Sequence, residues 1–258
     1  MNLTAYIRER LEDKKILLMT HVIVGYPSLE VNWEMLEVMS EVGVDMVELQ
    51  MPFSEPIADG PSFARANQLA LEQGIHLDQY FEFMQRAAAT FAFPHLMMGY
   101  YNTVFRYGHQ AFCERLRACG AQGFIVPDLP HEEYDDLLAS SQQSQLSPIM
   151  LMTPTNTMER LAEIGEYARG FVYIVARRGV TGKRTELDQS LDGFIARCRQ
   201  ATELPLALGF GLRNGADLQL LQGKVEMAIV GSALLDRWEA SGISGYKEFL
   251  EDLSRGRD

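Results

Sequence analysis

Glu48 and Asp59 lie in one stretch, VELQMPFSEPIADGP (47–61), and their setting suits proton chemistry. Alternation in an extended chain puts Met46, Glu48 and Gln50 on one face and Val47 and Leu49 on the other. A carboxylate facing inward among apolar residues is partly desolvated, which raises its pKa and lets it exchange a proton near neutral pH. Asp59 closes a loop stiffened by prolines and ending on Gly60, a geometry that can bring a second carboxylate back over the same pocket. Two carboxylates in different environments can take different roles. Taken singly, each has a plainer reading: Glu48 as an ion-paired acid at a strand end, Asp59 as a turn former before glycine.

A second group of residues suits anion binding. ALGFGLRNGADL (207–218) and AIVGSALL (228–235) each pass from an apolar run through small residues into a helix-like segment. Gly209, Gly211, Gly231 and Ser232 would let backbone N–H groups at a helix start approach a phosphate, with the serine hydroxyl as a further donor. The plainer reading is a pair of tight corners. A net charge of −12 favours the anion reading, because an acidic chain needs such a local device to hold a phosphate. ARRGVTGKRTELD (176–188) is the longest polar, glycine-containing loop. Gly179 and Gly182 are candidate hinges, and Arg177, Arg178, Lys183 and Arg184 supply positive charge for a lid or, alternatively, a solvated surface loop.

Eight apolar runs position these groups: 16–24, 44–50, 95–100, 123–127, 148–152, 171–175, 204–208 and 226–230. They read as strands buried on both faces, and amphipathic stretches such as EVNWEMLEVMSEVG and PHEEYDDLLASSQ alternate with them as helices. Eight strand–helix units in 258 residues predict an α/β fold, a (β/α)8 TIM barrel occupying residues 1–258 as a single domain. An open doubly wound sheet would usually carry G-x-G-x-x-G after its first strand, and no such turn is present. In a barrel, the 47–61 stretch and the two glycine loops fall together at the mouth formed by the strands' C-terminal ends.

The composition narrows the functional classes. With 47% hydrophobic and 22% charged residues the chain has the makings of a sizeable core. No apolar run reaches membrane-spanning length, and the opening residues MNLTAYIRERLEDKK lack the pattern of a secretion signal, so a cytoplasmic protein is expected. The acidic balance opposes binding to nucleic acid or anionic membranes. Cys113, Cys119 and Cys198 have no short spacing to histidine and are expected to be reduced thiols that bind no metal.

Together, VELQMPFSEPIADGP, GFIVPDLPHEE, YIVARRGVTGKRT, LGFGLRNGADL and IVGSALL make the chain resemble the tryptophan synthase α subunit family, in that family's order and spacing. The resemblance implies retro-aldol cleavage of indole-3-glycerol phosphate to indole and glyceraldehyde 3-phosphate, a lyase step of tryptophan biosynthesis needing no metal or organic cofactor. By matching positions, it makes Glu48 the general acid/base and Asp59 the carboxylate that accepts the indole N–H. Tyr173 and Thr181 match residues that position the Asp59 loop and close the lid. Gly182, Gly211, Gly231 and Ser232 match phosphate contacts, while Phe210 and Tyr100 match pocket positions. It also implies a partner β subunit that carries pyridoxal phosphate, in an α2β2 heterotetramer.

Several positions depart from the family pattern. Gln50 replaces a glycine on the same face as Glu48, where it could crowd the acid or hydrogen-bond it. Ile23 and Tyr26 replace a hydroxyl and a carboxylate near the end of strand 1, Glu55 replaces an aspartate in the strand-2 loop, and Glu226–Met227 replaces Asp-Gly. His21 stands where the family keeps an aromatic. It could line the indole pocket or take part in proton transfer, and the preferred reading is the plainer one, a packed polar aromatic with no chemistry. These changes keep open a weakly or non-catalytic subunit that activates a β subunit, and a stand-alone lyase. An unrelated phosphate-binding barrel would leave the Glu48–Asp59 stretch unexplained.

Overall fold

A computed structural model describes residues 2–134, 136–175, 189–209 and 211–257. Eight parallel strands close in sequence order into a barrel: β1 (Leu17–Ile23), β2 (Met46–Gln50), β3 (His95–Met98), β4 (Gly123–Ile125), β5 (Ser147–Met152), β6 (Val172–Val175), β7 (Leu206–Gly209) and β8 (Met227–Val230). The helices among the described residues are α1 (Leu3–Arg10), α2 (Leu29–Val42), α3 (Pro61–Glu72), α4 (Leu77–Thr90), α5 (Tyr101–Tyr107), α6 (His109–Ala118), α7 (Asp136–Gln143), α8 (Met158–Tyr167), α9 (Gln189–Ala201), α10 (Gly215–Gln219) and α11 (Ser232–Arg255). The (β/α)8 architecture expected from the eight apolar runs is present; every strand is shorter than its run at one or both ends except the fifth, which begins one residue earlier, and the seventh also runs one residue past its expected end. The third run stops two residues early because Gly99 and Tyr100 leave the ladder to start α5.

Local signals set the helix ends. Ser28 accepts the Val31 N–H at the start of α2, and Gly43, in the left-handed region at φ 78°, ends it. Pro61 opens α3 at its first position, where a missing N–H costs nothing.

The strands bury both faces. Inward side chains, among them Leu17, Met19, Met46, Leu96, Ile125, Ile149, Ala207, Met227 and Ile229, fill the barrel interior, and Leu3 and Ile7 of α1 join them from below. Outward side chains such as Leu18, Val22, Val47, Leu49 and Met97 meet the helices in a second, larger layer. Each such aliphatic burial contributes roughly 1.5–3 kcal/mol. Register decides what lies at the mouth. His21 of β1 stands opposite Glu48 of β2, and Ile23 stands opposite Gln50.

At the opposite end, Asp45 sits fully buried just before β2. It accepts the Leu18 N–H (3.0 Å) and pairs with Lys14 (2.5 Å), Arg257 (3.1 Å) and Arg10 (3.2 Å). One carboxylate thus ties the chain's two ends to the first two strands. Among the described residues, no helix is long and apolar enough to cross a membrane.

Candidate active site

Glu48 is 2% exposed and points inward. Its carboxylate lies 2.7 Å from His21 Nδ1, and His21 Nε2 lies 2.6 Å from Gln50 Oε1. The Gln50 amide donates onward to Asp59 Oδ2 at 2.7 Å and sits 3.3 Å from Asn67 Oδ1. One hydrogen-bonded chain, Glu48–His21–Gln50–Asp59, therefore spans both carboxylates. The ring at position 21 packs against Phe63 and also makes two hydrogen bonds that spacing alone does not reveal. Gln50 likewise neither crowds nor directly bonds Glu48 but reaches it through His21.

The Asp59 loop is held from three sides. The Phe53 N–H donates to Asn67 Oδ1 (3.0 Å), the Ala58 N–H to the Tyr100 hydroxyl (3.2 Å), and the Asn67 amide to Asp59 Oδ2 (3.3 Å). The rings of Phe53 and Tyr100 stack at 5.1 Å, closing one wall. Asn67 and Phe63, on the buried face of α3, are site residues that the sequence reading missed. A signal for Asn67 existed, as it is the polar member of the periodic set Phe63, Ala66, Asn67 and Ala70.

Charge in this cluster is strongly coupled. Burial pulls the His21 imidazole down, but the Glu48 charge and hydrogen bond, with Asp59 and Gln50, outweigh it and leave the pKa raised. Burial also pushes the Asp59 carboxyl above its ordinary value, against the Gln50 hydrogen bond, the His21 charge and the Tyr100 hydroxyl. Tyr173, inward on β6, has its phenol driven well up by burial and by the charges of Glu48 and Asp59, so it stays neutral.

Across the mouth, Gly231 caps α11 and Ser232 is its first residue. A Cβ at Gly231 would lie 2.9 Å from Phe63 Cζ and 3.2 Å from His21 Cβ, so any side chain here would have to displace Phe63 and His21 for this helix N-terminus to stay against the acidic cluster. A Cβ at Gly209 would meet the Tyr173 ring at 3.0 Å. Gly211 is exposed in the loop after β7. Thr181, Gly182 and Phe210, together with the 176–188 loop expected as a lid, lie outside the described residues.

Ile23 and Tyr26 join an apolar cluster with Phe63, Ala66, Ala70 and Leu235, and the Tyr26 hydroxyl donates to Glu239 at 2.7 Å. The substituted positions near the end of β1 thus pack α3 against α11. Cys113, Cys119 and Cys198 are buried free thiols. Among the described residues, no group of His, Cys, Asp and Glu could hold a metal ion.

A buried acid wired to an imidazole and to a second carboxylate, at the mouth of such a barrel, is equipped to move protons on a bound small molecule. The closed eight-stranded barrel with its ionisable cluster at the mouth places the chain among the (β/α)8-barrel enzymes. A sequence model described as tryptophan synthase alpha chain matches residues 7–253. The tryptophan synthase alpha chain of Desulforapulum autotrophicum is 47% identical over 252 residues, covering 98% of this chain and all of its own. That of Syntrophotalea carbinolica is 45% identical over 247 residues, covering 96% and 98%. Among solved structures, tryptophan synthase of Mycobacterium tuberculosis superposes with a TM-score of 0.91 at 31% identity, covering 98% of this chain and 97% of that one. The tryptophan synthase complex of Pyrococcus furiosus gives 0.84 at 26% identity, covering 92% and 97%. The chain belongs to the tryptophan synthase alpha chain family. It is a lyase of tryptophan biosynthesis that performs the α reaction, the cleavage of indole-3-glycerol phosphate to indole and glyceraldehyde 3-phosphate.

Proposed function

We propose that Glu48 is the proton-transfer group of this cleavage and Asp59 its electrostatic partner. The reaction needs a proton at indole C3, relief of the positive charge this creates at the ring nitrogen, and removal of the side-chain hydroxyl proton as the carbon–carbon bond breaks. Glu48, rigid on β2 and buried, gives the first proton and takes the second. Asp59 accepts the indole N–H and stabilises the developing cation from its loop. His21, Tyr100, Tyr173 and Phe210 line the pocket, and Thr181 closes it. The phosphate is held by Gly182, Gly211, Gly231 and Ser232, where the start of α11 supplies N–H groups and the positive end of its dipole.

The observation that carries this reading is the hydrogen-bonded chain joining Glu48 to Asp59 at the mouth. The whole chain acts as one domain in the cytoplasm and uses no cofactor of its own. Its partner is a β subunit carrying pyridoxal phosphate, in an α2β2 assembly. Ile57, 69% exposed on the Asp59 loop, and Phe105, 63% exposed on α5, offer apolar surface beside the mouth for that docking.

The test is indole release from indole-3-glycerol phosphate by the purified chain, with and without a tryptophan synthase β subunit, beside the Glu48→Gln variant. Turnover is expected to rise with the β subunit and to fall by roughly 10²–10⁴-fold in the variant, the usual worth of a general acid/base. Undiminished turnover in Glu48→Gln would overturn the assignment. Absent turnover with an activated β subunit would make this a regulatory barrel.

A further inference from the structure

The hydrogen bonds at the mouth can be counted donor by donor, and backbone groups fix the count. The Phe53 N–H can only donate, so the Asn67 atom it meets is the amide oxygen, and the Asn67 nitrogen faces the Phe63 carbonyl (2.9 Å). Gln50 approaches both that oxygen and the Asp59 carboxylate, so it must present its NH2 there. Its own oxygen is then turned to His21, and His21 Nε2 must carry a proton to meet it at 2.6 Å. The remaining ring nitrogen, Nδ1, faces the Glu48 carboxylate at 2.7 Å with both groups buried. That contact needs one proton between them.

We propose that His21 is the positioning residue that stores the proton Glu48 delivers, as an imidazolium at rest whose Nε2–H is pinned by Gln50 and whose Nδ1–H is shared with the Glu48 carboxylate. The use made of the proton rests on the lyase reading; its place in the resting cluster rests on the hydrogen-bond geometry together with the two carboxylates that face the ring. In the forward step the Nδ1 proton passes to Glu48 and from Glu48 to indole C3, leaving neutral His21 and ionised Glu48. As the carbon–carbon bond breaks, the side-chain hydroxyl proton returns to Glu48 and thence to Nδ1. The pair ends each turnover with the single proton it began with, and no outside acid or base is consumed.

The surroundings favour that charge state. From β2 and its loop, His21 faces the carboxylates of Glu48 and Asp59. From α3 it meets the Phe63 ring at 4.6 Å, and from β6 the neutral Tyr173 phenol shares the influence of both carboxylates. The start of α11 opposes the cation, since Gly231 lies against His21 Cβ, but it is a partial charge against two carboxylates. The imidazolium is therefore kept to a higher pH than an ordinary histidine would hold, and is lost as pH rises through the raised pKa.

The experiment has two arms on the full-length chain. Nitrogen-15 NMR of histidine-labelled protein, with the His21 signals assigned by their loss in His21→Phe, is expected to find both ring nitrogens protonated at pH 7.5. A neutral His21 ring at that pH would overturn the proposal. In the second arm, kcat against pH is measured for the wild type, His21→Phe and His21→Gln, with the β subunit present. Both variants are expected to lose the alkaline side of the kcat profile, a shift of at least one pH unit or roughly tenfold in kcat at pH 8, with activity recovering in acid. A loss equal at every pH would mean only structural support and would also overturn it. If the wild type releases no indole at any pH, the lyase reading fails while the NMR arm still decides where the proton sits.

Discussion

At position 50 a glutamine converts two separate carboxylates into one network. It accepts from His21 on one side and donates to Asp59 on the other, and its orientation traces to the Phe53 backbone. His95 shows the opposite behaviour of a buried imidazole. It lies on the outward face of β3, 1% exposed, its ring 5.0 Å from that of Phe93 and its Nε2 without a hydrogen-bond partner among the described residues. Burial holds its pKa down at about 4. The folded state keeps this ring neutral where the unfolded chain would protonate it, so stability falls as pH drops through 6.5 and levels off below about 4. At pH 4.5 the cost is on the order of 2–3 kcal/mol relative to neutral pH. Urea unfolding at pH 7 and pH 4.5 is expected to give a smaller acid loss in His95→Leu than in the wild type. Identical losses in both would refute it.

Among elements, α11 bears most directly on the site. Its N-terminus reaches the mouth because position 231 has no side chain to hold Phe63 and His21 away. In Gly231→Ala, Phe63 and His21 must shift by a few tenths of an ångström or more. A misplacement of about 1 Å in positioned groups can cost on the order of 10²-fold in catalysis, smaller shifts less, and overpacking typically costs about 1–3 kcal/mol in stability. The expected result is a large fall in kcat/KM for indole-3-glycerol phosphate from a still cooperatively folded protein. Unchanged kcat/KM would show that the close approach of helix to cluster is not needed.

For the molecule as a whole, Asp45 fastens the closed end of the barrel as the Glu48 cluster organises the open one. Its buried carboxylate gathers Lys14, Arg257 and the more exposed Arg10, joining segments far apart in sequence. Removing one member of a buried, hydrogen-bonded ion cluster usually costs about 3–5 kcal/mol. Asp45→Asn should therefore lower the urea midpoint markedly, and a midpoint equal to the wild type's would refute the role. The exposed Arg10 contributes the least, so Arg10→Ala should cost under about 1 kcal/mol.

The amino-acid sequence by itself determined the architecture. Strands buried on both faces read as plain apolar runs, and β1 to β8 were all legible for that reason. Glu48 and Asp59 were legible too, as carboxylates in an apolar, proline-bounded stretch, and the glycines after β7 and β8 stood out because a small residue before a helix is a local signal. Strand alternation even placed Gln50 on the face of Glu48. Folding in three dimensions set His21 in register with Glu48, carried Asn67 across from α3 to orient Gln50, and brought Asp45 against Arg257 from the other end of the chain. Those facts depend on interstrand register and on contacts between residues distant in sequence. Periodicity reports which face a side chain takes, and only closure of the barrel settles which neighbour shares it.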